Sequence, residues 1–181
     1  MLTPTPVRNQ MSGDVAVQTD WTSTIDTKGI ADWINAQSTL LLLTHAKPDG
    51  DALGSTIALA RAINLKRETT GAVSAAECWY AAPMPEWSKT IIGNTKARII
   101  EDHQPIPGAF DPEGILITDT GSWSQLAPFA AFLKPRLERT TMIDHHLQGD
   151  AEIATRRLLD TNAAAVVQPV AEVCCHLLGV E

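Results

Sequence analysis

Cysteine is scarce in this chain. Its three thiols, Cys78, Cys174 and Cys175, are an odd number with two adjacent, which leaves neither a zinc spacing nor a disulfide framework. A reduced, cytoplasmic compartment is the simplest expectation. Cationic residues are also few: 14 Lys and Arg face 21 Asp and Glu, a formal charge of -7. That balance argues against a large basic surface for duplex nucleic acid, where affinity comes mostly from neutralising phosphates. It leaves room for a small anionic substrate, because bound divalent cations invert the local field. No apolar run reaches the roughly 18 residues that a membrane-spanning helix needs. The stretch from Met1 to Asp20 is rich in Thr, Pro and Gln and holds no apolar core of signal-peptide length. Neither a glycine-rich dinucleotide loop nor a P-loop occurs.

What is present is a full complement for one domain: 181 residues, 44% of them hydrophobic. A chain of this size buries about two-thirds of the surface its unfolded form exposes. Residues 1–24 read as a flexible N-terminal extension and 25–181 as the folded domain. Thr24 or Asp26 can cap a first helix, in which Ile30, Trp33 and Ile34 fall at helical spacing. A buried strand is expected at Thr39 to Thr44. Pro48-Asp49-Gly50-Asp51 reads as loop, and helix resumes at Ala52 to Leu65. Further strands are expected near Cys78 to Tyr80, at Ala97 to Ile100, Gly114 to Thr118, Thr140 to Ile143 and Ile153 to Leu159. Short helix is expected at Glu86 to Ile92, a proline-rich connector at Gln104 to Gly114, and longer helices at Gln125 to Leu137 and Asn162 to Leu178. Pro169 should kink the last one or mark a restart. Strand and helix alternating in this way predict an α/β fold, a mostly parallel sheet flanked by helices on both faces.

Three of the expected strands end in acid and imidazole. Leu40-Leu41-Leu42-Leu43 runs into Thr44-His45-Ala46-Lys47-Pro48-Asp49-Gly50-Asp51. Ile115-Leu116-Ile117 runs into Thr118-Asp119-Thr120-Gly121, and Met142-Ile143 into Asp144-His145-His146. Each cluster has an ordinary structural reading: a Pro-Asp-Gly turn with Asp51 capping a helix, an aspartate in a turn, a solvated histidine pair. In an open α/β sheet, however, ligands sit at the carboxyl ends of the strands, where all three fall together. The mixed carboxylate and imidazole set exceeds what one metal needs. It suits two hard or borderline cations bridged by a carboxylate, the arrangement of two-metal phosphoester sites. Other charged and aromatic residues read more simply. Arg61, Lys66 and Arg67 are expected as a solvated helix end, Arg156-Arg157 as surface strand, and Asp160 as the cap of the last helix. Trp79, Trp87 and Trp123 read as packing rather than base stacking.

The three motifs resemble those of the DHH phosphoesterase family, named for the triplet that stands here as Asp144-His145-His146. The first motif is similar over Thr44 to Ser55, the second over Thr118 to Ser122, and the likeness extends from about Ile30 to the end of the chain. The Pro-Asp-Gly-Asp-Ala-Leu-Gly-Ser wording is most like the bacterial nanoRNase branch, which also dephosphorylates adenosine 3',5'-bisphosphate. The resemblance implies two manganese ions, with magnesium or cobalt as substitutes. It implies His45 and Asp49 on one ion, Asp51 and His145 on the other, and Asp119 bridging. His146 would touch the scissile phosphate, and Asp144 would support the imidazoles from behind. The expected partners are short single-stranded RNA or DNA oligonucleotides or nucleotide phosphates, with no duplex and no membrane; a homodimer is compatible. Rival expectations are a non-catalytic nucleotide- or metal-binding module, an exopolyphosphatase or pyrophosphatase, and a cyclic-dinucleotide phosphodiesterase. One departure stands out. The family's fourth motif and its DHH-associated C-terminal domain have no counterpart before Glu181. The domain therefore reads as C-terminally incomplete, and weak or absent activity is the expectation for these 181 residues alone.

Overall fold

The computed structural model describes residues 20–71, 76–101 and 110–180. Residues 1–19 of the expected extension and most of the expected connector at Gln104 to Gly114 lie outside them. Helix α1 (Thr27–Asn35) is capped by Asp26, whose carboxylate accepts from Gly29 N at 2.7 Å. Then follow β1 (Leu40–Leu43), α2 (Gly50–Thr70), β2 (Ala76–Ala81), α3 (Ser88–Ile92) and β3 (Ala97–Ile100). The second half holds β4 (Gly114–Thr118), α4 (Ala130–Leu133), β5 (Thr140–Asp144), β6 (Arg156–Leu159) and α5 (Val167–Leu178). All six strands are parallel, in the order β3-β2-β1-β4-β5-β6.

Alternation of side chains along the strands builds two apolar layers. Leu40 and Leu42 face α1, α2 and α5, meeting Ile30, Leu53, Ile57, Val170 and Val173. Leu41 and Leu43 face the other way, against Trp79, Phe129, Phe132 and Leu133. The four leucines of β1 are fully buried. Each contributes about 1.5–3 kcal/mol of transfer free energy, which is why a run of four without a polar break belongs at the centre of a sheet. Chain order reverses between β1 and β4, so the crevice beyond their carboxyl ends is the place where such a sheet binds ligands.

Several expectations are corrected. Helix α2 begins at Gly50 rather than Ala52, so Asp51 lies in its first turn, and the cap is Asp49. The helix expected over Gln125 to Leu137 is broken into two 3-10 turns around the four-residue α4. Pro128 and Pro135 each remove a backbone donor and crowd the preceding turn. Residues Ala151–Ile153 form a 3-10 turn, and β6 starts only at Arg156. Helix α5 starts at Val167, which puts Pro169 in the first turn, where a missing N–H costs nothing. Asp160 does not cap that helix; its carboxylate accepts from Asn162 N in a local turn. Arg67 is not solvated: it is buried and donates to Gln37 O at 2.8 Å, linking α2 to the segment before β1. Residues 20–24, expected to be flexible, are bonded along β6 and beside the site.

Glu77, only 4% exposed, accepts from Trp79 Nε1 at 2.7 Å, Lys96 Nζ at 2.9 Å and Arg98 Nε at 3.2 Å. Burial works against its charged form. The bonds from Lys96, Trp79 and Arg98, with the Lys96 charge, outweigh it and hold the carboxyl below its ordinary value. A carboxyl with a depressed folded pKa adds stability above its unfolded pKa, and that stability is lost as pH falls through the folded value. Stability of the native chain should therefore fall more steeply than that of Glu77→Gln below pH ~4.3, the ordinary glutamate value. At neutral pH the glutamine variant should be less stable by about 1–3 kcal/mol. Parallel denaturation profiles for the two proteins across the acid range would contradict this.

Candidate metal centre

Each predicted ligand reaches the crevice because a strand ends beneath it. Thr44 follows β1 and its hydroxyl donates to Thr118 O at 2.8 Å, holding the ends of β1 and β4 together just where the two motifs begin. His45 comes next, and Ala46 N donates to Gln125 O at 2.9 Å. Pro48 ends this loop against α2, whose cap Asp49 spends Oδ1 on Asp51 N and Ala52 N, both at 3.0 Å.

Asp119 sits in left-handed backbone, φ 62, an uncommon state for a non-glycine residue that turns its side chain back into the crevice. It is 4% exposed, and Oδ1 is buried with no hydrogen-bond donor. What stands nearest are imidazole nitrogens: His145 Nε2 at 3.3 Å from Oδ1 and His45 Nε2 at 3.8 Å from Oδ2. Beyond β5, Asp144 is fully buried beneath the histidine pair. Its Oδ1 accepts from His145 N at 2.8 Å and meets His146 Nδ1 at 2.7 Å. The ring of His145 is held differently, with Nδ1 at 3.2 Å from Ala163 O. A carbonyl only accepts, so Nδ1 carries a proton there, and the ring turns Nε2 toward Asp119. Asp144, expected to support the imidazoles from behind, does stand behind the His146 ring, fully buried and away from the crevice. It supports one imidazole, not both.

Asp51 takes a second task. Its Oδ2 accepts from Val166 N at 2.7 Å and Oδ1 from Val167 N at 3.1 Å, so α2 supplies the cap that α5 lacks in its own sequence. Its Oδ2 also lies 4.0 Å from His145 Nε2.

The outcome is a cleft of about 360 Å³ lined by His45, Asp49, Asp51, Asp119, His145 and His146, with Gln125, Ala164 and Ala165. Two groups of candidate ligand atoms lie within 4.8 Å of one another and share Asp119: His45 with Asp49, and His145 with His146. The donors fit divalent cations. A buried carboxylate oxygen without a hydrogen-bond donor, flanked by two imidazoles and by further carboxylates, is a donor set that a divalent cation would satisfy. Among the ring nitrogens, His146 is raised above its usual pKa. Burial opposes its charge, but the Asp144 hydrogen bond and the charges of Asp144, Asp119 and Asp49 prevail. Sequence reasoning missed Gln125, whose Oε1 takes the Thr120 hydroxyl at 2.5 Å, and the carbonyl of Ala163. A backbone acceptor leaves no trace in a sequence, and Gln125 had only its nearness to Asp119 to mark it. Trp21 was missed too; its Nε1 donates to His146 O at 3.0 Å, and a lone tryptophan in a polar segment was the available sign.

Residues 39–179 match the model of the DHH family, N-terminal domain. The chain belongs to the DHH family. The donor set above is of the kind that holds divalent cations. Among solved structures, an exopolyphosphatase-related protein from Bacteroides fragilis superposes with a TM-score of 0.68 at 16% identity. The alignment covers 83% of this chain and 43% of that protein, so the DHH chain spans less than half its length. No curated protein matches the sequence. None of the helices among the described residues is long and apolar enough to cross a membrane.

Proposed function

We propose that this DHH domain hydrolyses phosphoester bonds in short single-stranded oligonucleotides and in nucleotide phosphates such as adenosine 3',5'-bisphosphate, using two manganese ions. The observation that carries the reading is Asp119, a buried carboxylate with an unpartnered oxygen between two histidines from different strand ends. His45 and Asp49 would hold one ion, Asp51 and His145 the other, and Asp119 both. Cations so held supply a water of lowered pKa and Lewis-acid stabilisation of the charge developing on phosphorus-bound oxygens. The remaining work falls to the chain's own side chains. His146 lines the cleft with Nδ1 committed to Asp144, which leaves Nε2 to carry a proton toward a phosphate oxygen. Asp144 fixes that tautomer and stabilises the imidazolium. The three strand ends, tied by the Thr44 and Asp119 backbone contacts, keep the groups in place so that little reorganisation accompanies reaction.

A second reading, hydrolysis of pyrophosphate or polyphosphate, is favoured by the exopolyphosphatase-related neighbour. The same assay separates the two. Manganese titrated into the chain by calorimetry should give two binding events, both lost in Asp119→Ala. In manganese, a dinucleotide and adenosine 3',5'-bisphosphate should release product faster than polyphosphate. A faster polyphosphate reaction would move the substrate class, and absence of any metal binding would remove the reading altogether.

A further inference from the structure

The loops that follow β4 and β5 are joined by a side chain from outside the α/β core. Trp21 precedes α1, in a segment bonded along the outer edge of β6. Ser23 Oγ donates to Leu159 O at 3.1 Å and accepts from Leu159 N at 2.8 Å, and Thr24 N donates to Arg157 O at 2.7 Å. The Arg157 guanidinium grips the same segment through Thr22 O and Asp20 O, each at 3.3 Å. The indole is thereby laid over two glycines. A Cβ on Gly121 or on Gly149 would collide with Trp21 Cη2. Neither glycine has positive φ, so backbone conformation does not call for glycine at either position; the ring does.

Gly121 lies two residues beyond Asp119, and Gly149 three beyond His146. One ring thus fills a slot whose walls are the loop of the shared carboxylate and the loop of the second histidine. Its Nε1–H completes the seat by donating to the carbonyl of His146 itself. The far end of the second loop has its own ties, Asp150 N to Gly121 O at 2.7 Å and Trp123 N to Asp150 Oδ2 at 2.9 Å. The near end, with Leu147 78% exposed, is held by Trp21 and by Asp144.

We propose that Trp21 is a positioning residue: it locks the Asp119 loop to the His146 loop so that the His146 ring stays registered against the metal-bearing carboxylate. The inference rests on the phosphoesterase reading of the same cleft. It adds an element supplied by the segment before α1, which the three motifs do not contain. In the reading above His146 faces the phosphate while His45, Asp49, Asp51, Asp119 and His145 hold the ions, so the effect of Trp21 falls on turnover rather than on metal affinity.

The test uses the full chain with Trp21→Phe, Trp21→Ala, Gly149→Ala and the double variant of the last two. Phenylalanine fills part of the slot but cannot donate to His146 O. In metal-free protein, hydrogen exchange of the amides of residues 146–150 should speed up in Trp21→Ala while the amides of β4 and β5 keep their protection. Gly149→Ala should match it, and the double variant should add nothing, because the methyl then enters an empty slot. In the manganese-loaded chain, Trp21→Phe should bind metal as the native protein does yet lose kcat on a phosphodiester by about ten- to hundredfold, the cost of displacing a reacting group by about an ångström. KM should move far less. Uniform loss of protection across the sheet, additive effects of Trp21→Ala and Gly149→Ala, or an unchanged kcat in Trp21→Phe would each reduce the indole to a surface cover. A native chain that binds no manganese would instead sink the reading of the cleft, while the exchange experiment would still decide whether the ring locks the two loops.

Discussion

Asp119→Asn should make the metal-free protein more stable and the metal-loaded protein inactive. The side chain is buried, Oδ1 has no donor, and the carboxylates of Asp49 and Asp51 border the same cleft. In the absence of a cation these like charges repel in a poorly solvated setting, and a neutral amide relieves that cost by about 1 kcal/mol. Asparagine is also among the few residues that tolerate the left-handed backbone found here, so the swap adds no strain. Alanine would forgo that tolerance and cost about 1–2 kcal/mol more. Both candidate ligand groups contain Asp119, so the amide should abolish binding at both. Manganese at about 100 times its dissociation constant stabilises the native chain by about 2.7 kcal/mol, a shift the variant should not show. With the cations gone, phosphodiester turnover should drop at least about a thousandfold, since several kcal/mol of charge stabilisation leave with them. Thermal melts with and without manganese should therefore cross: the variant melts higher without metal, the native chain higher with it. Equal manganese shifts in the two proteins would contradict the bridging role.

Strand ends were readable in this chain because burial on both faces leaves an unbroken apolar run, as at Leu40 to Leu43, and because polar residues resume abruptly where the strand leaves the sheet. Gly114 to Thr118, buried throughout, has the same limits in sequence and structure for that reason; Ala97 to Ile100 keeps its limits as well, although it is a largely exposed edge strand that contains Arg98. Periodicity alone failed between Gln125 and Leu137. The apolar spacing there is helical, but Pro128 and Pro135 leave only four residues of α-helix between two tighter turns. Arg67 was misplaced by a related fault. Its position near the end of a polar helical stretch suggested solvent, whereas the C-terminal turn of α2 lies against the segment that leads into β1.

For the site, the acids and imidazoles that line the cleft were legible, because such groups after a buried strand are costly without a partner, whereas the Gln125 and Trp21 side chains were not. What could not be read are contacts between parts of the chain far apart in sequence. The Ala163 carbonyl that orients His145 is one, and the tryptophan seated on Gly121 and Gly149 is another. The glycines give a partial sign, but a glycine after a strand is usually read as a turn, and nothing local tells that an indole needs the space.

Asp51 serves the fold and the cleft at once, and its variants should separate the two. Helix α5 has no side-chain cap of its own, and Asp51 accepts from its first amides at 2.7 and 3.1 Å. That helix packs Val170, Val173 and Leu177 into the layer shared with α1 and α2, so a frayed start weakens the main core. Asp51→Ala should cost about 1–2 kcal/mol for the lost cap, and a further few tenths to 1 kcal/mol for the negative charge at the helix N-terminus. Asp51→Asn keeps one oxygen for an amide and should lose no more than about half of this. Toward metal the two variants should behave alike, each weakening the ion shared with His145 by tenfold or more, because neither offers a carboxylate. A carboxylate has about four acceptor positions; the two amides and the Ser55 hydroxyl, at 3.4 Å from Oδ1, take three of them and leave one. Cation binding therefore need not release α5, and exchange protection at Val166 and Val167 should persist when manganese is added to the native chain. Loss of that protection on metal binding would mean that Asp51 must choose between cap and ligand. The start of α5 would then move whenever the site is filled.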